Sequence, residues 1–165
     1  METKKIARIG LFIAIAFVFG YIEAMIPINL GVPGIKLGLP NLVILICLYE
    51  CSAKDAFLVS FVRILLSGLT FGSLSIMLYS LAGGLLSLVL MVLLKKSGHF
   101  SVYGVSIAGG VSHNIGQIIV AIFVLQTGLL IYYLPFLLLA GCIAGIAIGF
   151  IAAKLQKRIH PIFLE

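Results

Sequence analysis

Acidic residues are scarce in this chain. Glu2, Glu23, Glu50, Asp55 and Glu165 are the only ones among 165 residues, and none forms the paired aspartates that hold Mg²⁺ against a diphosphate. That shortage counts against phosphoryl or prenyl-diphosphate chemistry by this chain alone. No G-x-x-x-x-G-K-[ST] is present, so ATP hydrolysis by a P-loop is excluded. No serine or cysteine stands in a nucleophile motif, and His113 has no acidic neighbour in sequence to orient it. Three cysteines, Cys47, Cys51 and Cys142, lie in or beside apolar runs and read as buried free thiols rather than a disulfide framework. Cys47 and Cys51 share a helical face, but a structural metal usually needs four ligands, so neither a metal nor a cofactor is expected. Nor is any Pro/Ser-rich, charged or low-complexity stretch long enough to be a linker, which leaves one domain over 1–165.

Apolar residues are abundant: 62% of the chain is hydrophobic and 10% charged. Mean hydropathy is +1.29. A soluble core of this length could not bury that much apolar surface, because soluble chains are about half apolar. The solvent for most of the chain is lipid. Its net charge of +6 does not indicate nucleic acid, since the basic residues punctuate hydrophobic runs instead of clustering with surface aromatics. The opening METKKIARIGLFIAIAFVFGYIEAMIP has a basic start and an apolar run. That run exceeds the ~7–15 residues of a signal core and lacks an A-x-A-type exit, so it reads as a retained first helix.

Crossing the hydrocarbon takes roughly 20 helical residues. On that scale spans are expected at 5–26, 37–49, 53–69, 73–94, 103–126 and 129–153, an all-α bundle of six transmembrane helices. The second is short and follows GVPGIKLGLP, whose glycines and prolines forbid a regular helix; residues 27–39 read as a loop that caps or dips into the outer half. Lys4, Lys5, Arg8, Lys54, Lys95, Lys96, Lys154, Lys157 and Arg158 all fall on one side of such a bundle. By the positive-inside rule both termini are then cytoplasmic, in a bacterial-type plasma membrane. In ECSAKDAF, Ser52 and Asp55 are spaced as a capping box that starts the third span, a structural role for Asp55.

Two groups of residues stand out for function. On the first helix Gly10, Ala14, Ala16, Gly20 and Ala24 recur at about four-residue spacing, which allows close backbone approach to a neighbour in lipid, either within the bundle or on another polypeptide. The second group is polar and deep. Arg63 sits about nine residues after Lys54, roughly 13 Å into the membrane, where it must meet protein or water and find acceptors. Ser60 and Ser67 share its helical face; its anion is either Glu23 or a bound ligand. His113, Asn114 and Gln117 form one stripe near the bilayer centre. Three such groups at the depth of Arg63 favour a binding site over interhelical glue. Tyr79, Tyr133, Lys36 and Asn41 are further candidates from the outer half. Tyr133 also fits an interfacial belt, and Lys36 either draws anions or anchors the interface.

Five segments carry a resemblance: PGIKLGLPN (33–41), RILLSGLTFGS (63–73), SLAGGLLSLVLM (80–91), GGVSHNIGQ (109–117) and YYLPFLLLAGCIAG (132–145). In this order, over nearly the whole chain, they are similar to the membrane family labelled heptaprenyl diphosphate synthase component I or Gx transporter. The sequence departs from the family pattern at Pro40, where alanine is more frequent. The family in turn resembles the substrate-binding S components of energy-coupling factor transporters. That likeness implies six helices, an outer loop over the site and a first helix that meets a transmembrane coupling subunit, with cytoplasmic ATPases as further partners. On the residues carried over, it implies ligand contacts from Lys36, Asn41, Arg63, His113, Asn114, Gln117 and Tyr133. The expected function is capture of a small anionic or amphipathic molecule without catalysis. The alternative is a non-catalytic membrane subunit of isoprenoid diphosphate synthesis.

Overall fold

A computed structural model describes residues 2–26 and 38–164, and every regular element in them is helical. The elements are α1 (Glu2–Met25), α2 (Leu39–Glu50), α3 (Ala53–Thr70), α4 (Leu74–Ser97), α5 (Val102–Leu125), a 3-10 turn at Gly128–Tyr133 and α6 (Leu134–Leu164). Four stretches are long and apolar enough to cross a bilayer: Thr3–Met25, Leu74–Ser97, Val102–Leu125 and Gly128–Pro161. Large side chains such as Leu11, Leu69, Phe123 and Leu139 are exposed around the outside, as a lipid solvent requires. Of the expected loop at 27–39, residues 27–37, with Lys36, lie outside the described residues, and Leu39 already begins α2.

α2 is the centre of the bundle. Residues 42–48 are all buried, because the helix is apolar on every side. It packs on α1, α3 and α6, while α1, α3, α4, α5 and α6 contact one another in that order around it. Twelve residues rise only about 18 Å, so α2 ends inside the bundle instead of crossing it. Pro40 fits because the first turn of a helix has no use for its missing N–H, and Gly38 before it adopts φ 78°. At the other end Lys95 Nζ donates to Leu48 O at 2.6 Å and lies 4.8 Å from the centre of the Tyr49 ring. A lysine thereby satisfies a carbonyl that the helix end leaves orphaned.

Glycine sets how close the long helices come. A Cβ on Gly110 of α5 would meet Gly141 O of α6 at 2.5 Å, and one on Gly116 would meet Ala82 O of α4 at 2.7 Å. The glycines of α4, α5 and α6 therefore pack the bundle itself. The small residues of α1 divide. Gly10, Ala14 and Ala24 are exposed, and Gly10 has open space around it. Ala16 is fully buried, and Gly20 faces Ser67, Pro40 and Phe71. These two are occupied within the chain, which narrows the expected partner face to Gly10, Ala14 and Ala24.

The Ser52 cap on α3 is present, with the Asp55 carboxylate bonded to the Ser52 hydroxyl. Ser52 Oγ accepts from Asp55 N at 3.1 Å and donates to Asp55 Oδ2 at 2.7 Å, while Lys5 Nζ stands 3.0 Å from Asp55 Oδ1. Ser52→Ala removes both bonds and is expected to lower stability by about 1 kcal/mol, read as a lower melting temperature in detergent. The last helix runs past 153 to Leu164, beyond the expected boundary. Lysines and arginines there end a hydrophobic span without ending a helix. Phe163 carries the continuation back onto α1, with its ring 6.0 Å from Phe12 and under Arg8.

Candidate functional site

The polar groups gather where α4 carries Gly83 and Gly84. A Cβ on Gly83 would meet His113 O at 2.7 Å and Gln117 Cγ at 2.8 Å; one on Gly84 would meet Ile64 Cδ1 at 3.0 Å and Ser60 Oγ at 3.5 Å. Two residues without side chains thus let α5 and α3 approach α4 from either side at one level. His113 and Gln117 stand on one flank, Ser60 and Ile64 on the other. Arg63, between Ser60 and Ile64 in the chain, belongs to the same level of the bundle.

Arg63 is 8% exposed, and its Nε donates to no oxygen among the described residues. Ser67 Oγ, one turn on, is likewise buried with no partner among them. Glu23 of α1 is the acid whose charge Arg63 feels. The same carboxylate accepts the Gly38 N–H at 2.6 Å, which ties α1 to the start of α2 across the segment 27–37. An arginine in a low-dielectric interior is stable only with good acceptors around it, so this cation is the strongest anion-attracting feature of the site.

The stripe on α5 separates. His113 is buried at 8% exposure and Gln117 half-buried, both toward α4. Asn114 turns the other way and donates from Nδ2 to Leu137 O of α6 at 2.6 Å. That bond gives Asn114 a role in holding α5 to α6. Among the outer candidates, Tyr79 is half-buried one turn from Gly83, whereas Tyr133 is 38% exposed in the 3-10 turn, away from the buried cluster. Asn41 lies in the first turn of α2 and lines a small cavity with Ser87 of α4 and Ser106 of α5.

Those two serines were not anticipated. Ser106 donates to Gly145 O at 2.7 Å. Ser87 is 1% exposed, and its only sequence signal is its place one turn beyond Gly83–Gly84 in SLAGGLLSLVLM. Near the basic end, Glu50 Oε2 lies 2.9 Å from His160 Nδ1, a pair that joins α2 to the α6 extension. Among the described residues no three His, Cys, Asp or Glu side chains gather as a metal site.

A bundle of long apolar helices around a short buried one, with a cation and amides inside, defines an all-helical membrane-type protein with a polar interior. Residues 12–155 match the family model described as heptaprenyl diphosphate synthase component I, and the chain belongs to that family. It is the family to which the five motif segments pointed. Comparison with the curated proteins and with the solved structures gives no match.

Proposed function

We propose that this chain is a non-catalytic membrane subunit that binds a small amphipathic anion and works through partner proteins. The observation that carries this reading is Arg63: a guanidinium buried at the level of His113 and Gln117, with an Nε that no described residue uses. A charge-assisted bond from such a group, shielded from water, is stronger than one at a surface. Arg63 would neutralise the ligand's anionic group, and His113 and Gln117 would orient the rest by hydrogen bonds. In this reading the helices lie in a bacterial-type plasma membrane with Lys5, Lys95 and Lys154 on the cytoplasmic side.

The family's description supports a setting in heptaprenyl diphosphate synthesis, where the chain would be the membrane component beside a separate catalytic subunit. A second reading, a substrate-capture subunit resembling S components, is favoured by the exposed Gly10, Ala14 and Ala24 on α1. There the partners would be a transmembrane coupling subunit and cytoplasmic ATPases. Neither setting involves nucleic acid.

Affinity purification of the chain from its own membranes separates the two. A co-purifying prenyl synthase supports the first setting and ATPases the second; recovery of the chain alone from mild detergent contradicts both. Gly10→Leu adds a side chain where nothing lies within 4 Å. It is expected to cut recovery of a membrane partner about tenfold, a loss of about 1.4 kcal/mol of contact, with an unchanged melting temperature. Gly20→Leu is expected to lower the melting temperature as well, because a Cβ there already touches Ser67 and Pro40 and the rest of the leucine must push between them.

A further inference from the structure

The first turn of α2 opens on a cavity with room for about one water molecule, bounded by Asn41, Leu45, Ser87, Ser106 and Gly109. Ser87 is 1% exposed and its Oγ has no hydrogen-bond partner among the described residues. A buried hydroxyl in this state is destabilising unless something fills the space and bonds to it. The Ser106 hydroxyl proton is committed to Gly145 O, so Ser106 contributes little further donation. The chemistry falls to Ser87 and the Asn41 amide.

The end of α2 decides what they attract. A helix N-terminus carries partial positive charge, and here it lies at the edge of the cavity, half-buried at Gly38, Leu39 and Asn41. Pro40 has no N–H, Asn41 N turns back to Gly38 O at 2.9 Å, and Gly38 N is taken by Glu23. Backbone donors are thus largely used, and the field of the helix remains. That field disfavours a cation and favours an electron-rich oxygen.

We propose that this cavity is a subsite for a single acceptor oxygen of the bound molecule, a carboxylate, phosphoryl or carbonyl oxygen, held by Ser87 and Asn41 at the N-terminus of α2. The proposal rests on the ligand-binding reading above and extends that site inward. Ser87 lies one helical turn beyond Gly83, so the subsite is roughly 5 Å nearer the basic end than the level of Arg63. The ligand class is therefore a compact molecule with two oxygen-bearing groups, one met by Arg63 and one by Ser87. A long hydrocarbon with one terminal head does not fit this arrangement.

Thermal melting of the full chain, purified from membranes in mild detergent, tests it through a double-mutant cycle with Ser87→Ala and Arg63→Met. Ser87→Ala is expected to lower the melting temperature by about 2–4 °C in the wild-type background and to leave it unchanged or raise it in the Arg63→Met background, where the ligand is lost and the Ser87 hydroxyl has nothing to bond to. Ser87→Cys, which nearly keeps the volume, is expected to show the same dependence and guards against a packing artefact. An equal drop in both backgrounds means a structural water and overturns the subsite, as does a melting temperature that Ser87→Ala leaves unchanged or raises in the wild-type background. If Arg63→Met keeps its small-molecule adduct in native mass spectrometry, the ligand-binding reading itself fails, which is a different outcome from loss of coupling alone.

Discussion

Arg63→Met is expected to leave the folded bundle as stable as the ligand-free wild type or more so, while abolishing retention of its ligand. The reasoning starts from the cost of the buried charge. Arg63 is 8% exposed and its Nε has no acceptor among the described residues. Replacing a whole buried ion pair by apolar residues of similar volume is often neutral or stabilising by about 1–4 kcal/mol, and Glu23 keeps its bond from the Gly38 N–H when Arg63 alone is replaced. Methionine keeps the unbranched stem and fills the same space. A ligand anion, by contrast, loses a buried charged partner, and such losses run to about 2–5 kcal/mol, or more than about 30-fold in affinity. The opposite pattern follows if Arg63 is present to neutralise Glu23: Arg63→Met then lowers the melting temperature and Glu23→Gln in the same chain restores it. Circular-dichroism melting of the single and double variants in detergent distinguishes these outcomes.

Gly110→Val is expected to produce the largest loss of stability of any single change considered. Even a Cβ at this position would stand 2.5 Å from Gly141 O, a backbone atom that cannot rotate away. The neighbouring glycines close off relief in either direction: a Cβ on Gly145 would meet Ile107 Cα at 2.6 Å, and one on Gly141 would meet Gly110 O at 2.9 Å. α5 and α6 must therefore separate. Separation also breaks the Asn114 to Leu137 O and Ser106 to Gly145 O bonds, leaving buried polar groups unpaired. Overpacking typically costs about 1–3 kcal/mol, and each orphaned group adds about 1–3 kcal/mol. The combined loss is expected to exceed that of Ser52→Ala several-fold, measured as a fall in melting temperature and in the yield of monodisperse protein.

The helices were legible from hydropathy, and most boundaries fall within a few residues of the expected spans. The Ser52–Asp55 box was legible because capping depends on spacing alone. What periodicity could not supply was which neighbour each helical face meets. His113 and Asn114 are adjacent in VSHNIGQ, yet one faces α4 and the other anchors α6. Likewise the small residues of α1 share a spacing, and only packing separates the exposed Gly10 from the buried Ala16. α2 was anticipated as a short span; its position at the centre of the ring was not, because a uniformly apolar twelve-residue helix looks the same against lipid or protein. Serine gave the weakest signal. Ser87 is one of many serines in apolar context, and it becomes distinctive only once its hydroxyl is seen facing a cavity at the end of α2.

Arg63 and Ser87 make the recognition reading specific, because both are buried at neighbouring levels of one bundle and the Arg63 Nε and Ser87 Oγ have no hydrogen-bond partner among the described residues. The family description implies a component that works beside another synthase subunit; the binding of a molecule is the proposal that remains to be tested. Native mass spectrometry of the wild-type chain and Arg63→Met, each released from membranes under the same mild conditions, tests the binding claim most directly. The expected result is a small-molecule adduct on the wild type that disappears from the variant. Identical spectra for the two proteins, whether both bare or both loaded, would contradict it.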